Sequence, residues 1–125
     1  MNLIDQLGGY ERAKQILQGC AIYGRPDVRV PVAGGFIHIV ADFLEQDLLR
    51  YRRANNIFEL NDWVLTNNQD FSEEPCQLVE DYNYDFKYKT KSGHWGFIVK
   101  SFLPTKWRHA TDDEIEAGKR LGVAA

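Results

Sequence analysis

The sequence predicts an α+β fold in which N-terminal helices pack on a small antiparallel β-sheet or SH3-like barrel, followed by a short C-terminal helix. Three observations predict it. Apolar residues recur at helical spacing up to about Asn56, they alternate with polar residues after it, and a helix-capping sequence opens at Thr111. The organisation expected from these changes of period is a helical region over 1–56, a β region over 57–110 and a capping helix over 111–125, together making one compact unit.

Leu3, Ile4 and Leu7 begin a short helix that Gly8–Gly9 interrupts, and Tyr10, Ala13, Ile16 and Leu17 resume the helical spacing in a second helix that Gly19 is expected to end. Between Ala21 and Gly35 the residues Gly24, Pro26, Pro31, Gly34 and Gly35 oppose a continuous helix, so this stretch reads mostly as loop, with Val28–Arg29–Val30 forming at most a short edge strand. From Phe36 the stripe Val40, Leu44, Leu48, Tyr51, flanked by Ile37, Phe43 and Leu49, predicts the longest helix. Arg50, Arg52 and Arg53 suit the negative end of its dipole, and Asn55–Asn56 can cap it.

Beyond Asn56, Trp63–Val64–Leu65 sits between the turn-forming pairs Asn61–Asp62 and Asn67–Asn68 and predicts a first strand, with a second over Cys76 to Asp81. Tyr82, Tyr84, Phe86 and Tyr88 alternate with Asn83, Asp85, Lys87 and Lys89, which predicts a third strand with one aromatic and one polar face. Lys91–Ser92–Gly93 then turns the chain into Trp95–Gly96–Phe97–Ile98–Val99 as the partner of a hairpin, with Gly96 marking a bulge or bend. Several short strands in so few residues suggest strong curvature or a barrel closed by the segment around Leu103, Pro104 and Trp107. Thr111–Asp112–Asp113–Glu114 is a capping box, and the helix it opens is expected to run to about Leu121 and stop at Gly122.

The 125 residues suffice for one hydrophobic core without metal or disulfide staples, and a net charge of −3 with no block of like charge excludes a broad cationic field. Cys20 and Cys76 lie far apart and outside any Cys-x-x-Cys pair, so reduced thiols are expected and a zinc site is not. The first residues lack a basic stretch followed by an apolar run, and the longest apolar stretch, Phe36 to Ala41, is broken by His38 and too short for a bilayer. A cytoplasmic protein without a membrane partner is expected.

The C-terminal run Arg108–His109–Ala110–Thr111 followed by Glu114–Ile115, Ala117–Gly118 and Arg120–Leu121 resembles the tail of many small phage and prophage accessory proteins, which end in a similar capped helix. Leu7–Gly8–Gly9–Tyr10 with Ala13–Lys14 is similar to their start, and Asp62 to Thr111 to the small β domain before their tail. The resemblance rests on capping and packing residues rather than on chemistry, and the segment from Ala21 to Asn55 lies outside it. It implies a phage or prophage origin, a bacterial host cell, and a host protein or complex as partner, including defence systems such as CRISPR-Cas.

Nucleophilic catalysis needs Cys or Ser beside an oriented base, and neither cysteine sits in a glycine-framed turn near His38, His94 or His109. His38 lies in an apolar run and reads as a packing residue. The histidines are scattered rather than one helical turn apart, and Gly34–Gly35 lacks the strand-to-helix context of a phosphate loop, so no enzyme, metal or cofactor is expected. Nucleic-acid binding is the alternative function: Tyr82, Tyr84, Phe86, Tyr88 and Trp95 could stack bases while Lys87, Lys89, Lys91 and Lys100 hold phosphates. Glu80, Asp81 and Asp85 weaken that reading, and aromatic residues on one face of a strand more simply fill a core. The candidate partner-binding residues are therefore Arg50, Arg52, Arg53, Tyr84, Tyr88, Trp95, Lys87 and Lys89, with oligomeric state left open by the free strand edges and the long helix.

Overall fold

The computed structural model describes residues 2–68 and 73–121, and the chain divides into two units, Met1–Asn55 and Asn56–Ala125. In the first, the Asn2 side chain accepts from the Asp5 amide at 2.9 Å and caps α1 (Leu3–Gln6). After Gly8 and Gly9 come α2 (Tyr10–Ile22), β1 (Asp27–Val32), β2 (Gly35–Val40) and α3 (Ala41–Asn55). Ile4, Leu7, Ala13, Val30, Ile39, Leu44 and Leu48 form the core, and Tyr10 stacks on Tyr51 with ring centroids 5.2 Å apart.

Three sequence expectations change here. The predicted loop and the predicted first turn of the long helix are an antiparallel hairpin, with Val28 opposite Ile39 and Val30 opposite Ile37. A short apolar run such as Phe36–Val40 fits either period; Gly34, at φ 89°, allows the tight connection that decides for the hairpin. Pro31 is tolerated because both strands of a two-stranded sheet are edges. The second helix also passes through Gly19 and ends at Ile22, since a helical glycine costs only about 1 kcal/mol and burial of Cys20 extends the packed face. His38 is exposed rather than packed and bonds Asp27 across the hairpin at 3.0 Å. The expected cap of α3 is present: Asn56 adopts φ 58° and the Asn55 side-chain amide donates to the Tyr51 carbonyl.

The second unit contains β3 (Trp63–Thr66), β4 (Cys76–Asp81), β5 (Asp85–Thr90), β6 (Trp95–Val99), a 3-10 turn (Lys100–Phe102), α4 (Leu103–Lys106), β7 (Trp107–His109) and α5 (Asp112–Ala117). Their antiparallel sheet has the order β6-β5-β4-β3-β7. It is open and not a barrel, because the turn and α4 carry the chain from one edge to the far side of β3 instead of pairing it with β6. One face carries the core of Val64, Cys76, Leu78, Phe86, Ile98 and Leu103, with Phe58, Tyr88 and Trp107 against it.

The aromatic row is split. Phe86 and Tyr88 lie in β5, whereas Tyr82 and Tyr84 belong to the connection before it, where Asn83 takes φ 71°. Gly96 marks no bulge, for β5 and β6 pair in regular register, and the register shift lies in β4 between Leu78 and Glu80. The glycine serves close approach instead: a Cβ there would meet the Tyr88 ring at 2.7–2.8 Å.

The capping box forms as expected, with Thr111 accepting from the Glu114 amide at 3.2 Å and Glu114 accepting from the Thr111 amide at 3.0 Å. The helix is shorter than expected, ending at Ala117 with Gly118 in the left-handed region, so Lys119 and Arg120 follow the helix. Gly122 lies outside the described residues.

Arg108 forks onto Glu114 with two bonds of 2.7 Å, and this pairing, opposed by burial and helped by the Thr111 and Leu121 amides, lowers the Glu114 pKa to about 2 from an ordinary 4.5. The stabilisation is present above pH 4.5 and is lost as pH falls towards 2, on the order of 3 kcal/mol in total. Glu114→Gln should therefore be less stable than wild type at pH 7, with the gap in unfolding free energy narrowing across that window in denaturant titrations. A second expectation concerns Gly96→Val, which should cost about 1–3 kcal/mol by overpacking against Tyr88. The loss should shrink in a Tyr88→Val background.

Candidate functional site

The second face of the sheet is covered over only part of its width. Trp63, Leu65, Gln77, Lys87, Lys89, Trp95 and Phe97 share this face by register and alternation. At the β3–β7 side, Arg108, directly opposite Leu65, holds the buried Glu114 of α5, and Leu65 is fully buried. Lys91 donates to the Ile115 carbonyl at 2.5 Å, with its ammonium 5.8 Å from the centre of the Trp63 ring.

Over β5 and β6 the same face is open. Trp95 is 60% exposed, Phe97 53% and Tyr82 50%. Phe97 meets both of the others edge to face, at 6.0 Å from Trp95 and 5.8 Å from Tyr82. Val99 extends the row along β6, whose outer edge has no neighbouring strand among the described residues. Lys87 lies 5.2 Å over Trp95, and Lys89 is opposite Trp95 in register. Glu80 is opposite Lys87 and accepts from the Tyr82 hydroxyl, a bond that raises the Tyr82 pKa. At the rim, Lys100 bonds Asp81 at 2.5 Å and holds its carboxyl below the usual range.

The candidate residues read from sequence fall into separate places. Trp95, Lys87 and Lys89 meet on the open face. Tyr88 points to the opposite face over Gly96 and is half-buried, where burial raises its pKa. Tyr84 is highly exposed in the β4–β5 connection. Arg50, Arg52 and Arg53 belong to the other unit at the end of α3; Arg50 is exposed and paired with Asp47 at 2.9 Å, while Arg52 and Arg53 are half-buried. Sequence reasoning missed Phe97 as an exposed residue. The available signal was the alternation of Trp95, Phe97 and Val99 with Gly96 and Ile98, which places the largest apolar side chains together on one side.

The chemically reactive groups are otherwise engaged. Ser92 donates to Glu74 at 2.8 Å and lies 2.9 Å from His94 Nδ1, so serine, histidine and carboxylate meet in the β5–β6 turn. The carboxylate bonds the serine directly rather than standing behind the histidine, which differs from the relay a nucleophilic triad uses. Cys20 and Cys76 are free and buried, and burial pushes the Cys76 thiol up to about 12, which suppresses its nucleophilic thiolate. His109 donates through Nε2 to the Ile57 carbonyl at 2.6 Å and stacks on Phe58. Among the described residues no group of three His, Cys, Asp or Glu side chains could hold a metal ion, and no helix is long and apolar enough to cross a membrane.

The chain matches no protein-family model, no curated protein and no solved structure. Since Trp95 and Phe97 stand clear of the core and lose only contacts with each other and their strand neighbours, replacing both by alanine should lower the unfolding free energy by no more than about 2 kcal/mol. A loss of about 4 kcal/mol or more in denaturant titrations, the scale of losing core aromatics, would mean that the pair supports the fold rather than a surface.

Proposed function

We propose that this chain is a non-catalytic protein-binding module whose open sheet face, centred on Trp95 and Phe97, docks on a host protein. The observation that carries the reading is the contiguous edge-to-face row Tyr82, Phe97 and Trp95, left half in water beside a strand edge that no other described strand pairs. Large apolar groups in water are tolerated singly, but a cluster is costly in solubility and is the usual feature of an interaction surface. Tyrosine and tryptophan also dominate the energetic centres of protein interfaces. The lysines and carboxylates around the row form the polar rim such interfaces have.

The phage or prophage origin, and with it a bacterial partner that includes defence complexes such as CRISPR-Cas, follows from the likeness of the Arg108–Leu121 tail to phage accessory proteins. In that setting the protein acts in the host cytosol. The second reading, binding of single-stranded nucleic acid, draws on one specific observation: the exposed Trp95 carries Lys87 over its ring and Lys89 beside it. The local charge argues for protein instead, since acidic side chains outnumber basic ones over 56–125 and Glu80 and Asp85 share the face with the lysines.

Tagged protein incubated with nuclease-treated lysate of a bacterial host should retain a specific protein that the Trp95→Ala/Phe97→Ala variant loses. Retention by both forms would overturn the docking face. Capture abolished by nuclease and falling steeply with salt would place nucleic acid first.

A further inference from the structure

Between α2 and β1 lies a groove of about 430 Å³, within the size range of small-ligand sites, and its lining is mainly apolar. The helix contributes Arg12, Ile16, Gly19 and Cys20, whose spacing places them on one face, and Tyr23 follows at its C-terminal cap. The strand side contributes Arg25, Val28 and Arg29 among others. Arg12, Arg25 and Arg29 are all exposed, and among the described residues none has a carboxylate within ion-pair distance. The adjacent carboxylates are engaged elsewhere, Glu11 with Lys14 and Asp27 with His38.

Gly19 adds an independent argument. A glycine inside a helix costs about 1 kcal/mol relative to alanine. Close packing does not require this one, because a Cβ at residue 19 would meet nothing within 4 Å. Its effect is to leave the wall of the groove open.

We propose that this groove binds a small phosphate monoester with an apolar body. A phosphate monoester brings about two negative charges and three acceptor oxygens, enough for more than one guanidinium fork, whereas a single carboxylate satisfies one. The apolar body lies against Ile16, Val28 and the space beside Gly19. An extended peptide is the poorer occupant, because Pro31 removes a backbone donor from β1 next to the groove.

The test is a calorimetric titration of the full chain with phenyl phosphate, inorganic phosphate and benzyl alcohol, with backbone amide shifts to locate binding. Phenyl phosphate should bind at least about tenfold more tightly than either fragment, with shifts concentrated in α2 and β1. Gly19→Leu, which fills the groove with a better helix former, should lose at least about tenfold in affinity without lowering the melting temperature. Arg12→Gln/Arg25→Gln/Arg29→Gln should reduce phenyl phosphate binding to the level of benzyl alcohol. Equal binding of inorganic and phenyl phosphate, unchanged affinity in Gly19→Leu, or shifts confined to the sheet of residues 63–109 would each overturn the proposal.

Discussion

The second unit depends on the fork between Arg108 and Glu114. Glu114 is almost wholly buried, and an ionised carboxylate in that position is tolerable only if its oxygens are hydrogen-bonded. Here they receive both terminal nitrogens of Arg108, the Thr111 amide and the Leu121 amide. One side chain thus closes the helix N-terminus, fixes α5 to β7 and holds the segment beyond the helix. Arg120, bonded to the Thr66 carbonyl, secures the same segment to β3.

That attachment also decides which part of the sheet remains accessible. The outward residues of β3 and β7 lie beneath α5 and the residues just after it, while Trp95 and Phe97 of β6 are exposed. Lys87 and Lys89, on the inner neighbour β5 of the edge strand β6, stand beside the exposed ring of Trp95 and put charge next to the apolar row. The face therefore combines an apolar centre with charges that discourage indiscriminate association. Those properties suit a partner able to bury the rings and match the alternating lysines and carboxylates.

The first unit follows a different logic. Its hairpin supplies Val30 and Ile39 to the core, and its helix α2 contributes Ala13 to that core and Arg12, Ile16 and Gly19 to the groove. The basic groups of this unit are distributed over its surface. Lys14 lies over Tyr10, Arg50 is paired with Asp47, and Arg12 joins Arg25 and Arg29 around the groove.

Much of the second unit was legible because local rules suffice there: the pattern of apolar and polar residues located β4 and β6, Gly93 marked the turn between β5 and β6, and the Thr111–Glu114 spacing placed the cap of α5. The α+β class and the apolar stripe of α3 were equally local. The hairpin at Asp27–Val40 was not, since six residues of mixed period fit a strand or a helix until something packs against them. Nor was the open sheet, which depends on β7 choosing β3 over β6, or the identity of the exposed rings, which depends on where α5 lies. By itself the sequence determined periodicity, caps and turns, which are properties of neighbours along the chain. Only the tertiary structure decided which apolar residues stay in water, because exposure is set by segments far away in sequence.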